Sequence, residues 1–156
     1  MEIRPFRDGD APALAAILLS SVRNIGGRHY TADQVAAWAP GLPDPDAFTR
    51  RARDGRTFLV ATGEDGEPIA FGDLETDGHI DLLYCAPEWA GRGVARQLYE
   101  ELERVARSAG IQLLFVEASE PAKSFFEKQG FEHTDRNDFT LNGVELHNYR
   151  MRKSLS

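Results

Sequence analysis

The segment that most constrains the fold is a glycine-rich turn between a β-branched and aromatic run, Ile80 to Cys85, and a strongly amphipathic run, Val94 to Ala109. The spacing of apolar residues predicts a strand, a turn and a helix in that order. In the turn, Gly91 and Gly93 let the backbone bend without Cβ clashes, so that successive N–H groups point into one concavity at the helix N-terminus. The segment therefore predicts a phosphate-binding site.

Two arginines, Arg92 and Arg96, stand beside this turn. The spacing differs from Walker A, which requires Gly-Lys-Ser/Thr, and from the dinucleotide fingerprint, because no third glycine follows. We therefore expect a pyrophosphate site of another type. The alternative is a glycine-rich helix N-terminus with solvated arginines.

The turn, read as Ala90-Gly91-Arg92-Gly93-Val94-Ala95, resembles the acetyl-CoA motif of the GNAT N-acetyltransferases, Gln/Arg-x-x-Gly-x-Gly/Ala. Ala90 departs from it, since Gln or Arg is usual there. A second segment, Ala122 to Phe131, is similar to the family's A-x-x-F-Y-E-K-x-G-F. Two joined motifs in the right structural context identify the chain as a member of this family.

The resemblance implies an α/β GNAT fold: a mixed, mostly antiparallel sheet of about six to seven strands, with a splayed central parallel pair and flanking helices. Acetyl-CoA would lie in the gap, with its pantetheine arm along the strand His79 to Cys85. The cofactor-binding residues that this implies are Leu83, Tyr84, Cys85, Ala90, Gly91, Arg92, Gly93, Val94, Ala95, Arg96, Ser124 and Phe126.

Length and charge restrict the remaining choices. A chain of 156 residues is expected to form one domain, residues 1–156. Its net charge of −7 argues against general binding to nucleic acid or anionic membranes. No apolar stretch is long enough to cross a bilayer, and Met1 to Pro5 does not resemble a signal peptide, so we expect a cytoplasmic protein. The resemblance also allows a homodimer.

Metal and thiol chemistry are not expected. The four histidines show no H-x-x-x-H spacing, so the prediction is that no metal is bound. Cys85 is the only cysteine, which excludes an internal disulfide, and no partner motif suggests a covalent acetyl-cysteine. We expect Cys85 to be a wall residue of the cofactor site.

The rest of the chain reads as alternating elements. A first strand around Ile3 and Phe6 precedes a helix capped by Asp8 or Asp10, and regularity is expected to lapse over Arg23 to Tyr30, which contains Gly26-Gly27. Short helices, further strands and a final hairpin at Asn142-Gly143 follow. The helices are predicted at 31–38 and 46–53, and the strands at 57–61, 69–75, 79–85 and 111–116.

The strand at 79–85 is the place where several family members carry the general base. Strict alternation puts His79, Asp81, Leu83 and Cys85 on one face, with Ile80, Leu82 and Tyr84 on the other. His79 and Asp81 are the candidate bases, because an ammonium needs to lose a proton before it can attack. The alternative is a surface histidine beside a turn and a solvated aspartate.

Phe126 stands where the family usually has the tyrosine that protonates the leaving thiolate. We expect its ring to pack against the pantetheine arm. Protonation would then fall to water, Tyr84 or Tyr149, and a backbone N–H near Leu83 to Cys85 would stabilise the oxyanion. Positioning of the amine against the thioester would supply most of the rate enhancement.

Tyr30 and Trp38 are candidates for an acceptor pocket, although such aromatic residues are often ordinary core. The function that follows is transfer of acetyl from acetyl-CoA to a primary amine, directly in a ternary complex. A small-molecule amine is favoured over a protein because the acidic chain would attract a cation. The alternatives are an acyl-CoA-binding regulatory module with weak turnover and an unrelated phosphate-binding α/β domain.

Overall fold

The strands form two sheets that meet at one point. The computed structural model describes residues 1–24 and 28–156 in full, and residues 25–27 only as part of a helix. Over this part of the chain there are seven strands, in an antiparallel sheet of order β1-β2-β3-β4 and a second of order β5-β7-β6. The strands are β1 (Glu2–Pro5), β2 (Thr57–Thr62), β3 (Pro68–Leu74), β4 (Leu83–Cys85), β5 (Leu113–Ala118), β6 (Glu132–Leu141) and β7 (Val144–Ser154).

Five helices pack around these sheets in the described chain. Short 3₁₀ turns at Asp8–Asp10 and Pro87–Trp89 lead into the first and fourth of them. The short helices expected near residues 31–38 and 46–53 are confirmed. The helices are α1 (Ala11–His29), α2 (Ala32–Trp38), α3 (Pro45–Ala52), α4 (Val94–Ser108) and α5 (Glu120–Lys128).

The two sheets are joined by a parallel bridge between His79 and Phe115. The N–H of Ile80 donates to the carbonyl of Phe115 at 3.0 Å, and the N–H of Phe115 donates to that of Gly78 at 3.1 Å. Gly78 has φ +101°, and a Cβ there would stand 2.1 Å from the Leu113 carbonyl oxygen, so this close approach requires glycine. No other pairing in the described residues joins β4 to β5, which confirms the splayed parallel pair.

Both faces of the four-stranded sheet are covered. On one face Leu59 and Ala61 of β2 pack in a cluster with Leu98 and Leu102 of α4. On the other, neighbouring residues of β2 pack with α1 and α3, as in the cluster of Phe58, Val60, Leu14 and Phe48. Successive residues of a strand point to opposite faces, and both faces are covered here, which explains why β2 and β3 are apolar at nearly every position.

Two predictions about the elements are wrong. Helix α1 continues to His29, so its described residues beyond Arg23 are helical rather than irregular. Gly26-Gly27, on which that expectation rested, lies outside the fully described residues. The strand expected over 79–85 is divided: only Leu83–Cys85 pairs with β3, and His79 makes the isolated bridge.

The C-terminal hairpin is confirmed. Asn142 and Gly143 have φ values of 50° and 78°, as a two-residue turn of type I′ requires. No described helix is long and apolar enough to span a membrane.

Candidate functional site

The glycine-rich turn forms the predicted entry into α4. Gly91 and Gly93 have φ values of +77° and +80°, which L side chains rarely adopt. Gly93 caps the helix, and its carbonyl accepts the N–H of Gln97 at 3.0 Å. Because the first N–H groups of a helix lack helical partners, this end presents donors and partial positive charge to an anion.

The side chains around this turn are arranged unevenly. The Arg92 guanidinium lies 5.0 Å from the centre of the Trp89 ring, and exposed Arg96 lies 3.8 Å from the Glu100 carboxylate. The side chain of Val94 is buried in the core, so only its backbone is free to contact a ligand. Ser124 of α5 is exposed and does not line the cavity described next.

A cavity of about 450 Å³ lies between β4 and β5. It begins beside the turn and reaches α1, α2 and the β6–β7 hairpin. Of the predicted site residues, the structure brings together Tyr30, Trp38, Asp81, Leu83, Tyr84, Cys85, Ala90, Ala95 and Phe126. The polar lining residues that were not predicted include Glu117, Ser119, His147 and Asn148.

A β-bulge lies just before β4: the N–H of Glu75 donates to the His79 carbonyl and that of Asp73 to the Leu82 carbonyl, so one extra residue stands between His79 and Leu82. The fully buried carboxylate of Asp73 accepts the N–H groups of Asp81 at 3.0 Å and Leu82 at 2.8 Å. The extra residue reverses the alternation. Strict alternation predicted Ile80 on the same face as Leu82, but Ile80 packs with Leu83 on the α4 side of the sheet. A side chain of the neighbouring strand therefore sets the backbone path at the cavity.

An arginine compensates the charge of Asp73. Nη1 of Arg56 donates to its carboxylate at 2.6 Å, and hydrogen bonds with Asp54 and Asp73 raise the pKa of Arg56, which stays charged. Burial raises the pKa of the Asp73 carboxyl, while the bulge N–H groups and Arg56 act in the opposite direction. The result is a buried ion pair at the end of β3.

The ladder between β3 and β4 leaves two N–H groups facing the gap. Asp73 N–H donates to the Leu82 carbonyl at 3.0 Å, and Ala86 N–H to that of Ile69 at 2.8 Å. Since bonded and non-bonded pairs alternate in an antiparallel ladder, Leu83 and Cys85 fall in the non-bonded pairs. Their N–H groups point away from β3 and toward the cavity.

His79 lies at the junction of the sheets, outside the lining of the cavity. Its Nδ1 is 3.1 Å from a Glu75 oxygen and its Nε2 is 3.0 Å from a Glu117 oxygen, while its ring stacks on Phe115. Hydrogen bonding to Glu117 and Glu75 raises the pKa of His79 to about 9. At neutral pH the ring is therefore charged and has no lone pair for a substrate proton.

Asp81, the other candidate base, does line the cavity. Its carboxylate forms an ion pair with Arg51, and a second guanidinium, that of Arg56, is 3.6 Å away. The geometry thus separates the two candidate bases. Asp81 lines the cavity and its charge is partly neutralised by arginines, whereas His79 lies outside the cavity lining and both of its ring nitrogens are bonded to carboxylates.

Phe126 lies in an aromatic cluster. Its buried ring meets those of Tyr99, Phe125 and Phe131 edge to face, with centroids 5.1 to 6.3 Å apart. Tyr84 of β4 lines the cavity, and burial raises the pKa of its hydroxyl to about 12. Burial also raises the pKa of the Cys85 thiol, which keeps it in the unreactive neutral form.

The far end of the cavity is walled by Tyr30 and Trp38, whose rings meet edge to face at 5.5 Å. The hairpin is attached to α2 beside them, because Asn142 Nδ2 donates to the Ala37 carbonyl at 2.9 Å and Gln34 Nε2 to that of Glu145 at 3.1 Å. Segments more than a hundred residues apart thus close this end. No local motif could have revealed the contact.

The comparisons with known proteins agree with this geometry. Residues 27–153 match the model of the acetyltransferase (GNAT) domain. The Escherichia coli (strain K12) protein YafP, named as an uncharacterized N-acetyltransferase, is 28% identical over 152 residues, covering 97% of this chain and 95% of the relative.

Solved structures extend the likeness to the whole fold. A GCN5-related N-acetyltransferase from Rhodopseudomonas palustris has a TM-score of 0.90 and 37% identity, covering 99% of this chain and 95% of that one. The Salmonella typhimurium protein yncA, solved with its cofactor acetyl-CoA, shares the fold with a TM-score of 0.77 at 20% identity, covering 100% and 94%. The resemblance inferred from the two motifs is confirmed, and the chain belongs to the GNAT family of acetyltransferases.

Proposed function

We propose that this protein transfers the acetyl group of acetyl-CoA to the primary amine of a small molecule, directly and in a ternary complex. One observation carries the proposal: a single cavity joins the glycine-rich turn to an aromatic end, with two unpaired strand N–H groups between them. A thioester entering from the turn and an amine entering from the aromatic end would meet at β4.

The cofactor end suits a pyrophosphate. The N-terminus of α4 supplies N–H donors and Arg92 and Arg96 supply charge, in place of the glutamine or arginine that Ala90 lacks. The backbone of β4 would hold the pantetheine arm, and apolar Ala95, Cys85 and Phe126 would enclose it. The yncA structure, which shares this fold, contains acetyl-CoA.

At the reacting centre, the Leu83 N–H would stabilise the tetrahedral oxyanion. A preorganised donor is effective because it is already oriented where charge develops. Asp73 fixes the bulge just before this donor, so the buried ion pair contributes to its direction. Tyr84 would return a proton to the thiolate, since its raised pKa keeps the hydroxyl protonated.

The acceptor end favours an amine with an apolar body. Tyr30, Trp38 and Leu146 supply an apolar wall, and the carboxylates of Asp81, paired with Arg51, and Glu117, paired with His79, also line the cavity. We propose that Asp81 attracts the ammonium group. A polycation would leave most of its charges against apolar side chains, which is unfavourable.

Binding and turnover test the proposal together. Acetyl-CoA at a hundredfold excess over its dissociation constant should raise the unfolding free energy by about 2.7 kcal/mol, whereas ATP and NAD should not. Release of free thiol should then be measured with an arylalkylamine, a polyamine and a peptide amine. We expect the first to be the best acceptor; no thermal shift and no thiol release with any of them would refute the function.

A second candidate is an acyl-CoA-binding regulatory module, and the buried Phe126 favours it because the ring carries no hydroxyl. The same experiment separates the two. A thermal shift with acetyl-CoA but no thiol release over the panel would favour the module.

A further inference from the structure

A second histidine lies at the aromatic end of the cavity with a carboxylate behind it. His147 is on β7, and its Nε2 is 2.6 Å from Oε2 of Glu120, the first residue of α5. The imidazole lines the cavity, and its side chain is 20% exposed. No other hydrogen bond to this ring is made by the described residues, so Nδ1 is left for a ligand.

The carboxylate is itself held in place. The Glu120 N–H donates to the Tyr30 hydroxyl at 2.8 Å, which anchors the start of α5 to the cavity wall. Its position in the first turn of a helix stabilises negative charge, and the hydrogen bond with His147 lowers the pKa of Glu120. The side chain is therefore an anion that orients the ring.

The charged and titratable groups around the ring come from three elements. Besides Glu120, α5 contributes Lys123, whose Nζ is 4.6 Å from the centre of the Tyr149 ring. Tyr149 lies on the same strand as His147, with its ring 5.5 Å from the imidazole, edge to face. Asp138 lies opposite in the register of β6, but its carboxylate pairs with Arg136 at 3.0 Å. Glu120 is thus the carboxylate that bonds to the imidazole.

This arrangement differs from that of His79 in one decisive respect. His79 has a carboxylate on each nitrogen, whereas His147 has one carboxylate and one nitrogen unoccupied by the described residues. When Nε2 carries the proton and donates it to Glu120, the lone pair is on Nδ1. A ring with a carboxylate partner on one side and a substrate on the other is the arrangement of a general base.

Resting on the function proposed above, we propose that His147 is the general base of the transfer and that Glu120 is its positioning residue. Nδ1 takes one proton from the ammonium of the acceptor. The freed nitrogen lone pair forms the C–N bond at the thioester carbonyl, and collapse of the tetrahedral adduct breaks the C–S bond, whose electron pair leaves on the CoA sulfur. The sulfur takes the proton of the Tyr84 hydroxyl, the Tyr84 oxygen takes the second proton of the nitrogen, and His147 passes the first to solvent.

The experiment compares two acceptors and begins with three variants, to which rescue and replacement variants are added below. His147→Phe keeps an aromatic ring without a lone pair, Glu120→Gln keeps the shape of the orienting side chain without its charge, and His133→Phe is the matched control. His133 also meets Tyr149 edge to face, at 5.3 Å, but does not line the cavity. The acceptors are an arylalkylamine that is protonated at the assay pH and a fluorinated analogue that is already neutral.

With the protonated amine we expect His147→Phe to lower kcat/KM by about 100- to 10,000-fold and to remove the acid limb of the pH profile. With the neutral analogue the loss should be under about tenfold, and external imidazole should restore turnover of His147→Ala. Glu120→Gln should lower kcat and displace the acid limb, whereas Glu120→Asp should restore part of the loss. His133→Phe should match the wild type.

Thermal melting with and without acetyl-CoA accompanies every assay. If the wild type neither shifts nor releases thiol, the proposed function is refuted, and this inference with it. If the wild type is active and folded His147→Phe keeps its turnover and acid limb, only this inference is overturned. Should His147→Phe fail to melt cooperatively, His147→Gln takes its place under the same criteria.

Discussion

The two ends of the cavity are built from different parts of the chain and from different chemical groups. The proposed cofactor end is made mainly of one continuous segment, 83–97, with Phe126 of α5 beside it, and offers main-chain N–H groups at the start of α4. The acceptor end is made of side chains from α1, α2, β5, α5 and the hairpin. Under the proposed function, the first would hold the cofactor through main-chain groups, and the second would hold the amine through side chains that substitution can alter one at a time.

The largest effect should come from the buried ion pair of Asp73 and Arg56, which fixes the backbone between the two ends of the cavity. Asp73→Ala removes the buried partner of Arg56, which keeps Asp54 and Glu75, and leaves the two N–H groups of the bulge without their acceptor, so we expect the unfolding free energy to fall by about 2–4 kcal/mol. Denaturant unfolding measures this. Asp54→Ala, which removes an exposed partner of the same arginine, should cost far less. Equal losses would contradict the role given to the bulge.

Next in size is a change that should affect the cofactor end alone. Gly93→Val forces a β-branched residue to φ +80° and places methyl groups where phosphate would approach, so acetyl-CoA affinity should fall at least about tenfold. Calorimetric titration of acetyl-CoA measures it, and the KM of the amine should hardly move. Gly66→Val is the control, since it places the same residue at φ +78° in the turn between β2 and β3, away from the cavity. An unchanged acetyl-CoA affinity in folded Gly93→Val would contradict a phosphate-binding site at this turn.

The complementary change is at the acceptor end. Trp38→Ala removes one of the two aromatic walls, and we expect the KM of an arylalkylamine to rise about tenfold, the equivalent of 1.4 kcal/mol. Two-substrate kinetics measure both KM values. Trp89→Ala, which removes the ring under Arg92, should raise the KM of acetyl-CoA and leave the KM of the amine nearly unchanged. Parallel changes in both KM values for Trp38→Ala would mean that the ends are not independent.

The smallest effect is the pH dependence of the stability that His79 contributes at the junction of the two sheets. Because the folded-state pKa of His79 is raised to about 9, its stabilisation is complete below about pH 6.5 and is lost as the pH rises toward 9. His79→Gln should therefore lower stability at pH 6 by on the order of 1 kcal/mol, with solvent screening allowed for, and by almost nothing at pH 9.5. Melting curves at the two pH values measure this. His133→Gln should show no such difference.

The predictability of the fold follows the same division. The entry into α4, the two-residue hairpin turn and the segment around α5 were predicted because each depends on a few adjacent residues and on local geometry. The bulge was not predicted, because its cause is the Asp73 carboxylate, eight residues before Asp81 and on another strand. The alternation of apolar residues describes a regular strand, and it carries no information about a hydrogen-bond acceptor on another strand.

The site was predicted least well where side chains from distant elements meet. His79 and Asp81 were chosen for their place in one strand, yet their partners Glu117 and Arg51 decide what each can do. Glu120 and His147 are 27 residues apart and share no motif, so nothing local distinguishes them from surface residues. Tyr30 and Trp38 were predicted as candidates for an acceptor pocket from their place in one short segment, and their rings meet at the cavity wall.

The bridge at His79 and Phe115 also determines how the molecule can bend. In the fully described chain, two main-chain bonds at Ile80 and Phe115 are the direct link between the two sheets across the gap. A joint at one end of a gap works as a hinge, so a small rotation of one sheet against the other moves the distant rim most. We therefore expect any such rotation to alter the gap beside Ala90 more than the gap around Leu83, which lies nearer to the joint.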